Sequence, residues 1–280
     1  MTDTGAAPEA ITSRGPGPFV TERHYQFQGR RHVWRSRDHR RGLRRAFRPG
    51  GMPEWRPEVL NTWIGLGFAL GSALFITGSV LALGPSLAAA LGLSTFQVNA
   101  VFFIGSIFFT AAAYLQLYQA ANAPDVAAAR PAPARPALIG WLPHEIGWLS
   151  SFMQFCGTVL FNISTLAALW VSGSWLREDL TIWIPDIFGS ILFLLSGYLA
   201  FAETAHAFFA WQPSRLSWWV VAVNLAGCVA FMVSAIYAFV PSGGASPDMA
   251  ARAVLWTLYG ANCFLIGAVL QLFEETFEQP

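Results

Sequence analysis

The sequence predicts an all-α polytopic membrane protein with six transmembrane helices in three tandem helical hairpins. Three observations carry this. Of 280 residues, 54% are hydrophobic and only 12% are charged, whereas an ordinary soluble domain carries about 25% charged residues. Six apolar stretches, at 60–83, 98–118, 146–171, 182–208, 218–240 and 253–273, reach the roughly 20 residues that a bilayer crossing needs. One pattern of tryptophan, proline, glycine and phenylalanine also recurs three times at fixed spacing, and such repetition marks a repeat architecture. This composition excludes a soluble globular enzyme, a disordered chain and a disulfide scaffold. Cys156, Cys228 and Cys263 all lie within apolar runs, where they read as small buried hydrophobes.

Residues 1–54 form an arginine-rich tail. The chain has no lysine, and twelve of its 17 basic residues precede residue 57. The first twenty residues are rich in Gly, Pro, Ala and Thr, a composition expected to stay disordered. From Arg30 to Arg48 the arginines are mixed with Val33, Trp34, Leu43 and Phe47. That mixture suits an anionic cytoplasmic leaflet, where each basic residue contributes about 1 kcal/mol. Arg40, Arg41, Arg44, Arg45 and Arg48 are therefore the candidate contacts to anionic lipid headgroups. A membrane or cytoplasmic protein partner is the alternative, and nucleic acid is the less favoured rival. The charged region is too long for a secretory signal. The arginine pairs are not followed directly by an apolar run, as a twin-arginine signal requires.

The remainder divides into a hairpin at 55–122, a Pro/Ala linker at 123–140, a hairpin at 141–210 and a hairpin at 211–280. The arginines set the expected orientation. With the tail in the cytoplasm, the loops on that side add Arg130, Arg135 and Arg215, while the opposite side holds only Arg177 and Arg252. Six spans then return the C-terminus to the cytoplasm.

The hairpins begin alike, with Trp55-Arg56-Pro57, Trp141-Leu142-Pro143 and Trp211-Gln212-Pro213. Fourteen residues after each proline stands Gly71, Gly157 or Gly227, followed four residues on by Phe75, Phe161 or Phe231. The second helices repeat the element as Gly105 and Phe109, Gly189 and Phe193, Gly260 and Phe264. The glycines of a pair are 34, 32 and 33 residues apart. Seven residues beyond the six glycines stand Gly78, Ala112, Ser164, Ser196, Ser234 and Gly267. Positions 0, +4 and +7 share one helical face. Glycine and a second small residue let membrane helices approach closely, which is how they gain packing energy in lipid. Phenylalanine between them fills the space. Tryptophan suits the headgroup region, and proline in the first helical turn sacrifices no hydrogen bond.

The paired helices with elements such as Gly71–Phe75 and Gly189–Phe193 resemble the YrhK-like family of small bacterial membrane proteins. So do the stretches Ser217–Gly227 and Gly260–Gly267. The resemblance covers residues 55–280. It implies a helical fold in the bacterial inner membrane and no assigned catalytic residue or cofactor.

Ionisable groups inside a span are functional candidates by default. Glu203 and His206 lie three residues apart near the end of the fourth span, and so on one face. An electrostatic or hydrogen-bonded pair is expected there; a metal site would need a second such motif and further carboxylates. Counting fourteen residues from the second-helix glycines gives Gln119, Glu203 and Glu274. These should share one depth and could form a polar ring if the hairpins surround a common axis. Asn162, Asn224, Asn262, Gln154 and Gln271 are expected to hydrogen-bond between helices. Phosphate-cradling, zinc-protease and serine-hydrolase motifs are absent. Two readings therefore stay open, with a membrane enzyme third. The favoured one is a non-enzymatic scaffold, sensor or complex subunit with a basic tail. The other is a small-solute transporter or channel, with Gln119, Glu203, His206 and Glu274 converging between the hairpins.

Overall fold

The computed structural model describes residues 9–27, 30–43, 57–123, 136–170, 174–242, 244 and 246–277. Six long helices dominate it: α2 (Pro57–Leu83), α4 (Thr95–Asn122), α5 (Ile146–Ala167), α7 (Ile184–Ala205), α8 (Leu216–Tyr237) and α9 (Pro247–Phe277). Each belongs to a helical run long and apolar enough to cross a membrane. Short helices α3 (Pro85–Ala90) and α6 (Trp175–Glu178) join them on one side. Pro185 lies inside a continuous helical run, and the wide π turn Asp179–Trp183 just before it accommodates the missing amide and the ring.

Successive long helices pack side by side from α2 through α4, α5, α7 and α8 to α9, and α9 packs back on α2. The six form a closed ring. The glycine elements stitch each hairpin. A Cβ on Gly71 would lie 3.0 Å from the Gly105 carbonyl oxygen. A Cβ on Gly157 or Gly189 would lie 3.1 Å from the other's carbonyl oxygen, and one on Gly260 would lie 3.1 Å from that of Gly227. All six glycines thus face the paired helix, where any side chain would hold the backbones apart. The six phenylalanines do more than fill a local gap. Phe75, Phe109, Phe161, Phe193, Phe231 and Phe264, one from each long helix, meet in a single buried cluster. Neighbouring ring centroids lie 4.8 Å (Phe161–Phe193) to 6.5 Å (Phe193–Phe231) apart, the range of favourable aromatic pairs.

The Trp-x-Pro headings work differently from expectation in two hairpins. Pro57 does begin α2, but α5 and α8 start three residues after Pro143 and Pro213. Each of these prolines instead follows the first residue of a turn, closed by Glu145 N–H to Leu142 O at 2.9 Å and Arg215 N–H to Gln212 O at 3.1 Å. The fixed φ of proline suits that position. Trp141 and Trp211 then pack edge-on against Trp148 and Trp218. Trp55 lies outside the described residues, as do Arg44, Arg45, Arg48 and most of the Pro/Ala linker.

The tail corrects two expectations. Its described part is folded, and it adds a sheet to an otherwise helical protein. Strands β1 (Glu9–Arg14), β2 (Glu22–Phe27) and β3 (Arg30–Arg35) pair antiparallel in that order. Helix α1 (Ser36–Arg41) follows β3 and ends at Gly42, whose φ of 71° puts it in the left-handed region. Glycine takes that conformation without steric cost, and it turns the Leu43 N–H back to Asp38 O at 2.8 Å. Helix α1 lies across one end of the ring, in contact with α2, α4 and α7.

Candidate functional site

Helix α1 presents Arg37, Arg40 and Arg41 on one face, since i, i+3 and i+4 lie together on a helix. Beneath them stand Gln119 on α4, Glu203 on α7 and Glu274 on α9, which are 2%, 1% and 0% exposed. The Arg40 guanidinium donates two hydrogen bonds to Glu203, at 2.7 and 3.0 Å. Ser36 Oγ donates a third to Glu203 Oε1 at 2.7 Å. Arg37 and Arg41 both grip Glu274, with Arg37 Nη2 3.0 Å from Oε2. Gln119 Nε2 donates to Asn61 Oδ1 at 2.8 Å, and Asn61 Nδ2 donates to the Arg41 carbonyl at 2.7 Å. All three positions fourteen residues beyond a glycine are therefore tied to one short helix.

Buried charges are tolerated only when paired and hydrogen-bonded, and this network meets the condition. Burial works against the charge on Arg37, but the Glu274 carboxylate outweighs it, helped by Asp38 and Glu203, so the guanidinium is held more firmly protonated than usual. Gly147 on α5 leaves room for the second pair: a Cβ there would come 1.8 Å from Arg40 Nη1.

Glu203 and His206 make no direct side-chain contact, and the expected pair survives only as a charge interaction, the smallest of the influences on His206. His206 caps α7 in the left-handed region, with φ 56°, and its ring turns to the sheet. Its Nδ1 lies 3.0 Å from Thr21 Oγ1, and its Nε2 lies 3.8 Å from Glu22 Oε2. The reason is local: α7 ends at Ala205, so the i, i+3 geometry is broken between the two residues. Glu22 also accepts from Arg35 Nε at 3.0 Å. Partial burial raises the Glu22 carboxyl, but the hydrogen bonds from Arg35 and His24 and the nearby His206 outweigh it, so its pKa is lowered. Burial drives the His206 pKa down to about 4; Glu22 opposes this, while Arg35 and Arg215 reinforce it.

A depressed histidine pKa means that the unfolded chain binds the extra proton more readily. This contribution to stability is therefore complete above pH 6.5 and lost as pH falls toward about 4. Thermal midpoints of the purified protein should decline across that window. In His206→Asn, which tolerates the left-handed backbone, the decline should be smaller. An identical pH profile for the two proteins would refute the assignment to His206.

Below α1 lies a cavity of about 90 Å³. Arg37, Arg40 and Arg41 roof it, and Phe109, Phe193 and Phe264 form its floor. All six long helices contribute walls, and the same offsets from the glycines recur. Three residues before the first-helix glycines stand Phe68, Gln154 and Asn224; eleven after the second-helix glycines stand Gln116, Ala200 and Gln271. Gln119 and Glu203 also line the cavity, while His206 does not.

Of the residues expected to hydrogen-bond between helices, Asn162 does so, donating to Thr110 Oγ1 at 2.8 Å. Asn262 is exposed and bonds within its own helix, to Leu258 O. Gln154, Asn224 and Gln271 face the cavity. Arg40 and Arg41, two of the candidate lipid contacts, are instead engaged by the Glu203 and Glu274 carboxylates. Sequence reasoning passed over Asn61 and Gly147. Both lie ten residues before a first-helix glycine, and that offset was the available signal. Set against known proteins, the chain matches no family model, no curated protein and no solved structure.

Proposed function

We propose that this multi-pass membrane protein is non-enzymatic and admits a small solute to a chamber inside its helical ring, as a channel or carrier does, with α1 as the stopper. One observation carries the reading: polar side chains from α4, α5, α7, α8 and α9 converge on one cavity, roofed by α1 and floored by phenylalanines. Concave sites with a few convergent polar groups are where small molecules bind. Polar groups within a bundle face such cavities because lipid cannot satisfy them.

The side carrying α1 is proposed to be cytoplasmic. Arg215 falls on it and the sequence joining α4 to α5, whose facing ends lie there, carries Arg130 and Arg135, against Arg177 and Arg252 on the other side, in keeping with the positive-inside tendency. The three hairpins are proposed to be copies of one unit, supported by equal glycine offsets for the packing, phenylalanine and cavity positions. Membership of the YrhK-like group, and with it the bacterial inner membrane, is part of the same proposal and rests on the Gly-Ser-x-x-Phe elements. The scaffold reading, in which the tail holds anionic lipid or a protein partner, retains Arg44, Arg45 and Arg48 but loses Arg40 and Arg41.

The test is solute efflux from liposomes containing the full chain. The double variant Arg40→Ala with Glu203→Gln removes both charges of one latch, so neither is left buried alone. It should release trapped solute at least about tenfold faster than wild type, the equivalent of about 1.4 kcal/mol of gating free energy. Efflux no faster than from protein-free vesicles would end the reading.

A further inference from the structure

The chamber wall is chemically selective. Gln116, Gln154, Asn224 and Gln271 each come from a different long helix and line the cavity, and none makes a hydrogen bond to a described protein group. Polar side chains inside a protein are ordinarily satisfied, and leaving one unmet costs about 1–3 kcal/mol. Four carboxamides turned to one space therefore mark the place of something that is not protein. Each carboxamide offers two donors and a carbonyl acceptor. Asn224 is held in place by bare backbone, since a Cβ on Gly267 would come 2.3 Å from its Oδ1.

Charge gives the second constraint. In the roof, Arg40 pairs with Glu203 and Arg37 and Arg41 share Glu274, while Asp38, which pairs with Arg35, also favours the charge on Arg37; all three carboxylates are buried. Below the roof the described lining holds no further titratable carboxylate, amine or imidazole. A solute ion would enter without a counter-charge, and desolvating an unpaired ion is costly.

Size gives the third. A cavity of about 150 Å³ accepts benzene, with six non-hydrogen atoms; this one is about 90 Å³. We infer that the chamber takes an uncharged, planar or compact solute of about four non-hydrogen atoms that both donates and accepts hydrogen bonds, of the urea or small-amide class, held by Gln116, Gln154, Asn224 and Gln271. This rests on the chamber reading above and names its ligand.

Urea, nitrate and guanidinium provide the test, because all three are planar species of four non-hydrogen atoms and nearly one size, and differ in charge. Initial efflux of each is measured from liposomes carrying the full chain, as wild type and with the Arg40→Ala/Glu203→Gln latch opened. Urea should leave at least tenfold faster than either ion. Replacing Gln154 and Asn224 together by leucine should cut urea efflux at least tenfold. The elution profile should be kept and the thermal midpoint should not fall, because two unmet polar groups are removed. Asn262→Leu, on an exposed position away from the cavity, should leave efflux unchanged. If nitrate or guanidinium matches urea, or if the leucine pair passes urea at the wild-type rate, the neutral-solute assignment is wrong while the chamber reading stands. If no species leaves faster than from protein-free vesicles even with the latch opened, the chamber reading falls as well.

Discussion

Changing Glu274 to glutamine should release α1 from the ring. The Glu274 carboxylate is fully buried and holds both Arg37 and Arg41. A carboxamide of the same shape keeps the volume but leaves two guanidiniums in a low-dielectric site without the carboxylate they share. Breaking a buried ion pair by removing one partner costs about 3–5 kcal/mol. The ring need not bear that cost, because α1 has six residues and can lift its arginines into water. The effect is thus local unfolding, limited by the free energy that docks the stopper. Hydrogen exchange reads it directly. Amides of residues 36–43 should exchange at least about a hundredfold faster in Glu274→Gln, while those around Phe231 keep their protection. Unchanged exchange in α1 would mean that the arginines do not hold it down. Glu203→Gln should act in the same direction but more weakly, since Ser36 Oγ still has an amide oxygen to donate to and only Arg40 loses its partner.

The contrast between ring and tail shows which physics a sequence displays. The six spans were readable because a bilayer demands length and apolarity from each segment separately. The glycines were readable because close helix approach demands a small side chain at a set interval. Both are local requirements. The tail obeys a different rule. Strands β2 (ERHYQF) and β3 (RRHVWR) carry few apolar residues, so their composition resembles that of a solvated segment. What orders them is long-range: the ladder itself, Arg35 on Glu22, and the docking of Thr21 and Glu22 against His206. The arginines illustrate the same limit. Once α1 forms, Arg37, Arg40 and Arg41 share one face, and that face suits lipid phosphates as well as carboxylates. The choice was made by Glu203 and Glu274, more than 160 residues away in the chain. The ring of Gln119, Glu203 and Glu274 could be counted out, but its partner could not.

Phe231→Ala should be the most damaging single truncation in the helical ring. Phe231 is the hub of the aromatic cluster, with ring centroids of Phe75, Phe161, Phe193 and Phe264 at 5.8, 5.7, 6.5 and 5.3 Å. In a bilayer little hydrophobic drive is lost with the ring, because lipid is as apolar as the core. The loss lies in packing: the neighbouring rings keep their places and the void has no atoms to fill it. Phe→Ala in a packed core costs about 3–5 kcal/mol, and the lower end is expected here, read as a shift of the unfolding midpoint in mixed micelles. Gly260 makes the interpretation testable. A Cβ on Gly260 would come 2.3 Å from the Phe231 ring, so Gly260→Ala alone should cost about 1–3 kcal/mol by overpacking. Once Phe231 is alanine, that methyl group enters the space vacated by the ring, and the second substitution should cost little or restore stability. The two changes should therefore couple by about 1 kcal/mol or more in the favourable direction. Simple additivity would show that Gly260 is small for some reason other than the ring it faces, and the account of paired glycines and phenylalanines would fail at its best-resolved contact.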